Sequence, residues 1–175
     1  FKIPFTFDLS KKIYSSKNKE TNISAKTLQL NIYNESKKKN NNLIVGKNTI
    51  SILNSKIYTK YDIGEDLITF ESDNSKIKNS KIDYKGELSI NPFDLKLDVN
   101  LENYQLSKLI NANSIFAEFI KTKLLFNKNI SLDSTIISSF DSNEDIFDLA
   151  KINFNIANGE INIDQTKLIN KEIGF

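Results

Sequence analysis

The sequence predicts a mainly β fold: a curled antiparallel meander sheet with one apolar face and one short helical segment. Three observations carry that prediction. From Ile82 to Leu101 apolar residues fall on alternate positions, with Ile82, Tyr84, Leu88 and Ile90 before a break and Leu95, Leu97, Val99 and Leu101 after it. The same period of two returns in short runs along most of the chain. Only over 105–122 does it lengthen to three and four, at Leu106, Leu109, Ile110, Asn113, Phe116, Ala117 and Ile120.

The break is Asn91-Pro92-Phe93-Asp94, a β-turn composition with Asn first and Pro second. A turn centred on Pro92-Phe93 pairs Ile90 with Leu95, Leu88 with Leu97, Gly86 with Val99 and Tyr84 with Leu101. Every apolar residue then shares one face, while Asp83, Lys85, Glu87, Lys96, Asp98 and Asn100 share the other. Upstream, Ile3, Phe5, Phe7 and Leu9 alternate, with Pro4 marking an edge strand or an irregular start. Lys11 to Thr21 reads as a polar connection. Leu28, Leu30 and Ile32 make a strand, and Asn34 to Asn42 a Lys/Asn-rich loop. Leu43 to Val45, Ile50 to Tyr58 and Asp66 to Ser72 are weaker strands, and the change of phase after Ile52 suggests a bulge or a twist.

Downstream, Gln105 to Thr122 reads as one helix or as two short helices meeting at Ser114. Strands resume at Ile130, Leu132 and Ile136, then at Ile152, Phe154 and Ile156. Asn158-Gly159 is either a bulge or a two-residue hairpin turn, which pairs Ile156 with Ile161 and Phe154 with Ile163. These elements form a single β-rich domain over 1–175, with the hairpin, helix and later strands in 77–175 and looser strands in 1–75. A start at Phe1 and the absence of Met suggest a fragment of a longer protein.

About ten strands, spaced about 4.8 Å apart, make a surface roughly 48 Å wide. A helix of about 17 residues is only about 25 Å long and 10 Å across. One such helix does not cover the sheet. The apolar face therefore closes on itself, packs against other parts of the protein, or stays open as a trough for a ligand.

Composition narrows the chemistry. The 175 residues include no His, Cys or Trp, and all 24 basic side chains are Lys against 22 acidic ones. Without His or Cys, the Ser-His-Asp and Cys-His nucleophiles and most zinc sites are unavailable. The net charge of +2 is spread along the chain, whereas nucleic-acid binding favours a concentrated patch with Arg. No apolar run approaches the 18 or so residues of a spanning helix. Asp141 to Asp145 opens like a calcium loop, yet Ile146 replaces the Gly and Ile152 the final Glu. Gly46-Lys47 lacks the rest of a phosphate-binding loop. The acids Glu65, Asp66, Asp83, Glu87, Asp94 and Asp98 could in principle supply a hydrolytic pair, but the last four lie on the polar face, as solubility requires. The sequons at Asn22, Asn34 and Asn129 are what an Asn-rich chain produces by chance. No catalytic residue, metal, cofactor or nucleic-acid partner is expected.

Three stretches carry a resemblance to a known family. They are Ile82-Asp83-Tyr84-Lys85-Gly86-Glu87-Leu88 running through Asn91-Pro92-Phe93, then Tyr104-Gln105-Leu106-Ser107-Lys108-Leu109-Ile110, then Ile156-Ala157-Asn158-Gly159-Glu160-Ile161-Asn162-Ile163. Over roughly 77–175 the chain resembles the AsmA-like proteins of Gram-negative envelopes. The resemblance implies a long curled sheet with an apolar interior, in the periplasm, tethered to the inner membrane by a segment outside this sequence. It implies a non-enzymatic part in outer-membrane biogenesis: binding phospholipid acyl chains or conducting them between the membranes, with other envelope proteins as partners. The lining expected of such a groove is Ile82, Tyr84, Leu88, Ile90, Leu95, Leu97, Val99 and Leu101. The competing expectation is a structural or adhesive β-domain of a large surface protein, with a closed core and no lipid.

Overall fold

Alternating apolar and polar residues, in runs of 6 to 11, fold into one sheet of eleven strands among the described residues. The computed structural model describes residues 8–13, 17–104, 128, 130–139 and 147–170. The strands are β1 (Asp8–Ile13), β2 (Asn18–Ala25), β3 (Leu30–Lys38), β4 (Ile44–Ile52), β5 (Ser55–Ile63), β6 (Leu67–Ile77), β7 (Ser80–Ile90), β8 (Phe93–Glu102), β9 (Ser131–Ser139), β10 (Leu149–Ala157) and β11 (Glu160–Ile169). They lie side by side in chain order, so the sheet is open, with β1 and β11 at its edges. A 3-10 turn, Lys26–Leu28, joins β2 to β3.

The mainly β, mostly antiparallel sheet is as the alternation predicts, with several boundaries moved. Lys11 to Thr21 is not a connection: β1 runs to Ile13 and β2 begins at Asn18. The 34–42 loop is shorter than expected, because β3 continues to Lys38. After Ile52 comes neither bulge nor twist but a tight turn at Leu53-Asn54, where Leu53 takes a φ of 50° and Ile52 faces Ser55. Polar side chains hid these strands, since hydrogen-bonded backbone does not require an apolar partner at every second position.

The β7–β8 hairpin is slipped by two residues from the expected register. Its turn is Asn91-Pro92, joined by a cis peptide, and Ile90 faces Phe93. Leu88 therefore pairs with Leu95, Gly86 with Leu97, Tyr84 with Val99 and Ile82 with Leu101. A slip of two keeps every side chain on its face, whereas a slip of one would have inverted the sheet. The Asn158-Gly159 turn forms as a hairpin, with both residues at positive φ and Ile156 opposite Ile161.

One pairing departs from the meander: β8 and β9 run parallel, an arrangement that a hairpin turn cannot make. The predicted helix over 105–122 falls in this connection and lies outside the described residues, as does most of the Ile3 to Leu9 strand. Just after β8, Asn103 and Tyr104 are held by side chains of the apolar side. Ser80 Oγ donates to the Asn103 carbonyl and Ser138 Oγ to that of Tyr104, both at 2.7 Å.

Candidate functional site

Following the register from strand to strand sorts every side chain onto one of two faces. One face carries the charges. Within the strands, every Asp and Glu lies there, alternating with Lys in cross-strand ladders such as Lys60 with Glu71 and Lys85 with Asp98. Lys81 bridges Asp83 at 2.7 Å and Glu102 at 3.5 Å. The Asp83 hydrogen bond holds its ammonium above the usual lysine pKa. The four carboxylates Asp83, Glu87, Asp94 and Asp98 all lie on this face, Glu87 opposite Lys96 and Asp98 opposite Lys85. A cleft of about 580 Å³ opens among Lys60, Glu71, Lys85, Glu87, Lys96 and Asp98, but its walls alternate in sign and favour neither anion nor cation.

The opposite face is aliphatic in two rows that cross the strands. The upper row runs Ile44, Ile63, Ile68, Leu88, Leu95, Leu132, Ile156 and Ile161, each the direct cross-strand partner of the next. At about 4.8 Å per strand it is about 34 Å long. The lower row begins Leu9, Ile23, Ile32, Ile50 and Ile57, and resumes at Ile82 and Leu101. All eight residues expected from the sequence lie on this face. Ile82 and Leu101 are in the lower row, Leu88 and Leu95 in the upper, Tyr84, Leu97 and Val99 between them, and Ile90 at the rim, 52% exposed.

Between the rows, over β3 to β7, runs a seam of aromatic rings, small residues and hydrogen-bonding side chains. The Tyr61 ring lies over Gly46, and its hydroxyl donates to Asn34 Oδ1 at 2.8 Å. The Phe70 ring lies over Gly86. Neither ring would lie flat over a residue bearing a side chain. Tyr84 spans β6 at Ser72, its oxygen 2.6 Å from Thr59 Oγ1 and its hydroxyl donating to the Tyr58 carbonyl at 3.1 Å.

That last contact repairs a defect. The β5–β6 ladder is interrupted between Lys56 and Lys60, where β6 carries an extra residue near Asp73-Asn74. Tyr58 therefore has no strand partner in β6, and Ser75 replaces one. Ser75 Oγ accepts from Tyr58 N at 2.9 Å and donates to Tyr58 O at 3.2 Å. Its side chain is fully buried and takes a further 2.7 Å hydrogen bond from Ser72 Oγ.

This face is unevenly covered. Among the described residues the buried apolar side chains are Ala25, Ile82, Leu101, Ala150 and Ile156, four of them in β7 to β10. Over β3 to β6 the aliphatic side chains stay half-buried or exposed, with no second layer of described residues above them. A sheet of this size with one apolar side partly open can hold an extended apolar chain.

The N-terminal half of the face, from Ile23 to Ile68, was missing from the sequence-derived lining. Asn34, Asn48 and Thr59 stand at inward positions where a core strand would carry an aliphatic residue, and they break the alternation. Gly46 belongs to β4 and supports an aromatic ring, not a phosphate loop. The Asp141 to Asp145 stretch lies outside the described residues. Among the described residues no group of three metal-ligating side chains occurs, and no helix is long and apolar enough to cross a membrane.

Compared with known proteins, the chain matches no family model, no curated protein and no solved structure. The class defined by its architecture is that of open, one-sided β-sheets.

Proposed function

We propose that the chain binds phospholipid acyl chains on the apolar face and takes a non-enzymatic part in moving lipid between the two membranes of a Gram-negative envelope. The observation that carries this reading is the upper aliphatic row, eight residues in unbroken register, of which those in β4 to β6 are half-buried or exposed, with no other layer of described residues above them. Apolar area gains about 25 cal/mol per Å² when it leaves water, so an acyl chain laid along the row is held without any specific bond. The charged face suits an aqueous compartment, which in this reading is the periplasm. The resemblance to AsmA-like proteins is compatible with an open sheet. A closed structural or adhesive domain has no need of a sheet whose edge strands β1 and β11 are unpaired, and whose aliphatic row is partly open, among the described residues.

The test is transfer of a fluorescent phospholipid between vesicles, comparing the chain with a Leu88→Asp, Leu95→Asp double variant. The two residues are cross-strand partners at the centre of the row. Transfer by the parent and its loss in a variant with an unchanged circular-dichroism spectrum supports the reading. Equal transfer by both folded proteins, or none by either, contradicts it.

A further inference from the structure

Resting on the acyl-binding reading, we infer that one corner of the apolar face is a binding site for the phosphate of an anionic phospholipid headgroup. The strands place three lysines on the aliphatic side, and no others: Lys11 in β1, Lys19 in β2 and Lys38 in β3. Lys11 faces Thr21, two residues from Lys19, and Lys19 faces Ser36, two residues from Lys38. Each neighbouring pair is thus a cross-strand diagonal, about 7–8 Å between Cβ atoms. The three form a straight file, and their flexible stems allow the ammonium groups to converge on one anion.

Two features set this corner apart from the lysines on the other face. Every strand Asp and Glu points to the opposite side, so the file has no carboxylate among it, and none of the three lysines takes part in an ion pair among the described residues. Lys38 is also the cross-strand partner of Ile44, the first residue of the upper aliphatic row. A phosphate held by the file therefore has an apolar track about 34 Å long leading directly away from it. Cationic corner and aliphatic row together match an anionic amphiphile.

An inward lysine on an edge strand also discourages pairing with another sheet, which accounts for Lys11. It does not account for Lys19 or Lys38, which lie in β2 and β3, inside the sheet. All three residues are exposed, so the corner is open to a ligand and tolerant of substitution.

The experiment exposes the purified chain to equimolar vesicles of phosphatidylglycerol and phosphatidylcholine with identical acyl chains, then extracts and quantifies the bound lipid. Each lysine near an anionic headgroup contributes about a fivefold preference, so three give on the order of 100-fold at low ionic strength. The Lys11→Gln, Lys19→Gln, Lys38→Gln triple variant should bind total lipid as the parent does but lose most of the phosphatidylglycerol preference. The arginine triple variant should keep it. A control with Lys56, Lys76 and Lys167 changed to Gln removes the same charge from the other face and should leave the preference intact.

Equal loss in the control, or a parent that takes both lipids alike, overturns the corner site while leaving acyl binding in place. Absence of any bound lipid overturns acyl binding itself. Inorganic phosphate alone, lacking the acyl chain, should compete weakly. Full displacement by it would show an anion site unrelated to lipid and would also overturn the inference.

Discussion

Ser75→Ala tests whether side-chain hydroxyls, and not backbone ladders, hold the middle of the sheet together. Ser75 is fully buried at the β6 bulge and supplies both partners that Tyr58 lacks in the broken β5–β6 ladder. Alanine fits the space but removes every side-chain hydrogen bond. The Tyr58 carbonyl keeps its bond from Tyr84, whereas the Tyr58 N–H loses its partner and the Ser72 hydroxyl loses its acceptor. A buried group left unsatisfied costs about 1–3 kcal/mol, so the substitution should cost about 2–3 kcal/mol. Tyr84→Phe should cost less, about 1 kcal/mol, because Ser75 still serves the same carbonyl. Urea titration followed by circular dichroism measures both. With a slope of about 1–3 kcal/mol per molar, the Ser75→Ala midpoint should fall by roughly 1 M with the slope unchanged. A loss below about 0.5 kcal/mol, the scale of an ordinary surface substitution, would refute the reasoning. So would a Tyr84→Phe cost larger than that of Ser75→Ala.

Three further outcomes follow from the geometry. Leu101→Ala, at a position only 4% exposed, should cost about 2–5 kcal/mol, and Leu88→Ala on the half-covered upper row distinctly less; equal costs in thermal or urea melts would mean that both rows are equally covered. Gly46→Ala should destabilise in the same melts despite the lower entropy of its unfolded chain, since the added Cβ meets the Tyr61 ring and approaches the Glu35 carbonyl to 2.6 Å; a neutral or stabilising result would mean that the ring moves freely. Lys81 has a folded pKa above its ordinary value, so its contribution is complete below the unfolded pKa and is lost as pH rises through the folded one. Lys81→Gln should therefore differ from the parent at neutral pH and converge with it in strongly alkaline solution, the gap being small because the pair is partly exposed to water.

How much of this was legible depended on whether function and alternation pulled the same way. In β7 and β8 every inward residue except Ser80 is apolar, aromatic or Gly, and the faces could be read directly even though the turn was placed one residue late. Asn158-Gly159 carried its own backbone preference and set the β10–β11 register as far as Asn153, beyond which a bulge shifts it. In β3 to β5 the inward positions Asn34, Asn48 and Thr59 are polar because they form the seam. A period-two reading discards those positions as loop. The lysine file was invisible for a related reason: Lys11, Lys19 and Lys38 come together only once three strands are in register, and each alone resembles a solvated side chain. The parallel β8–β9 pairing had no local signature, since adjacent residues do not encode which way a distant strand runs.

The most direct test of the central claim is native mass spectrometry of the chain expressed in a bacterial periplasm, combined with lipid extraction. The account predicts phospholipid bound in defined stoichiometry and lost from a folded Leu97→Asp, Val99→Asp variant, whose two substitutions place charge between the aliphatic rows. A folded, lipid-free monomer that stays lipid-free when offered phospholipid vesicles would contradict it, and would make the apolar face a structural surface only.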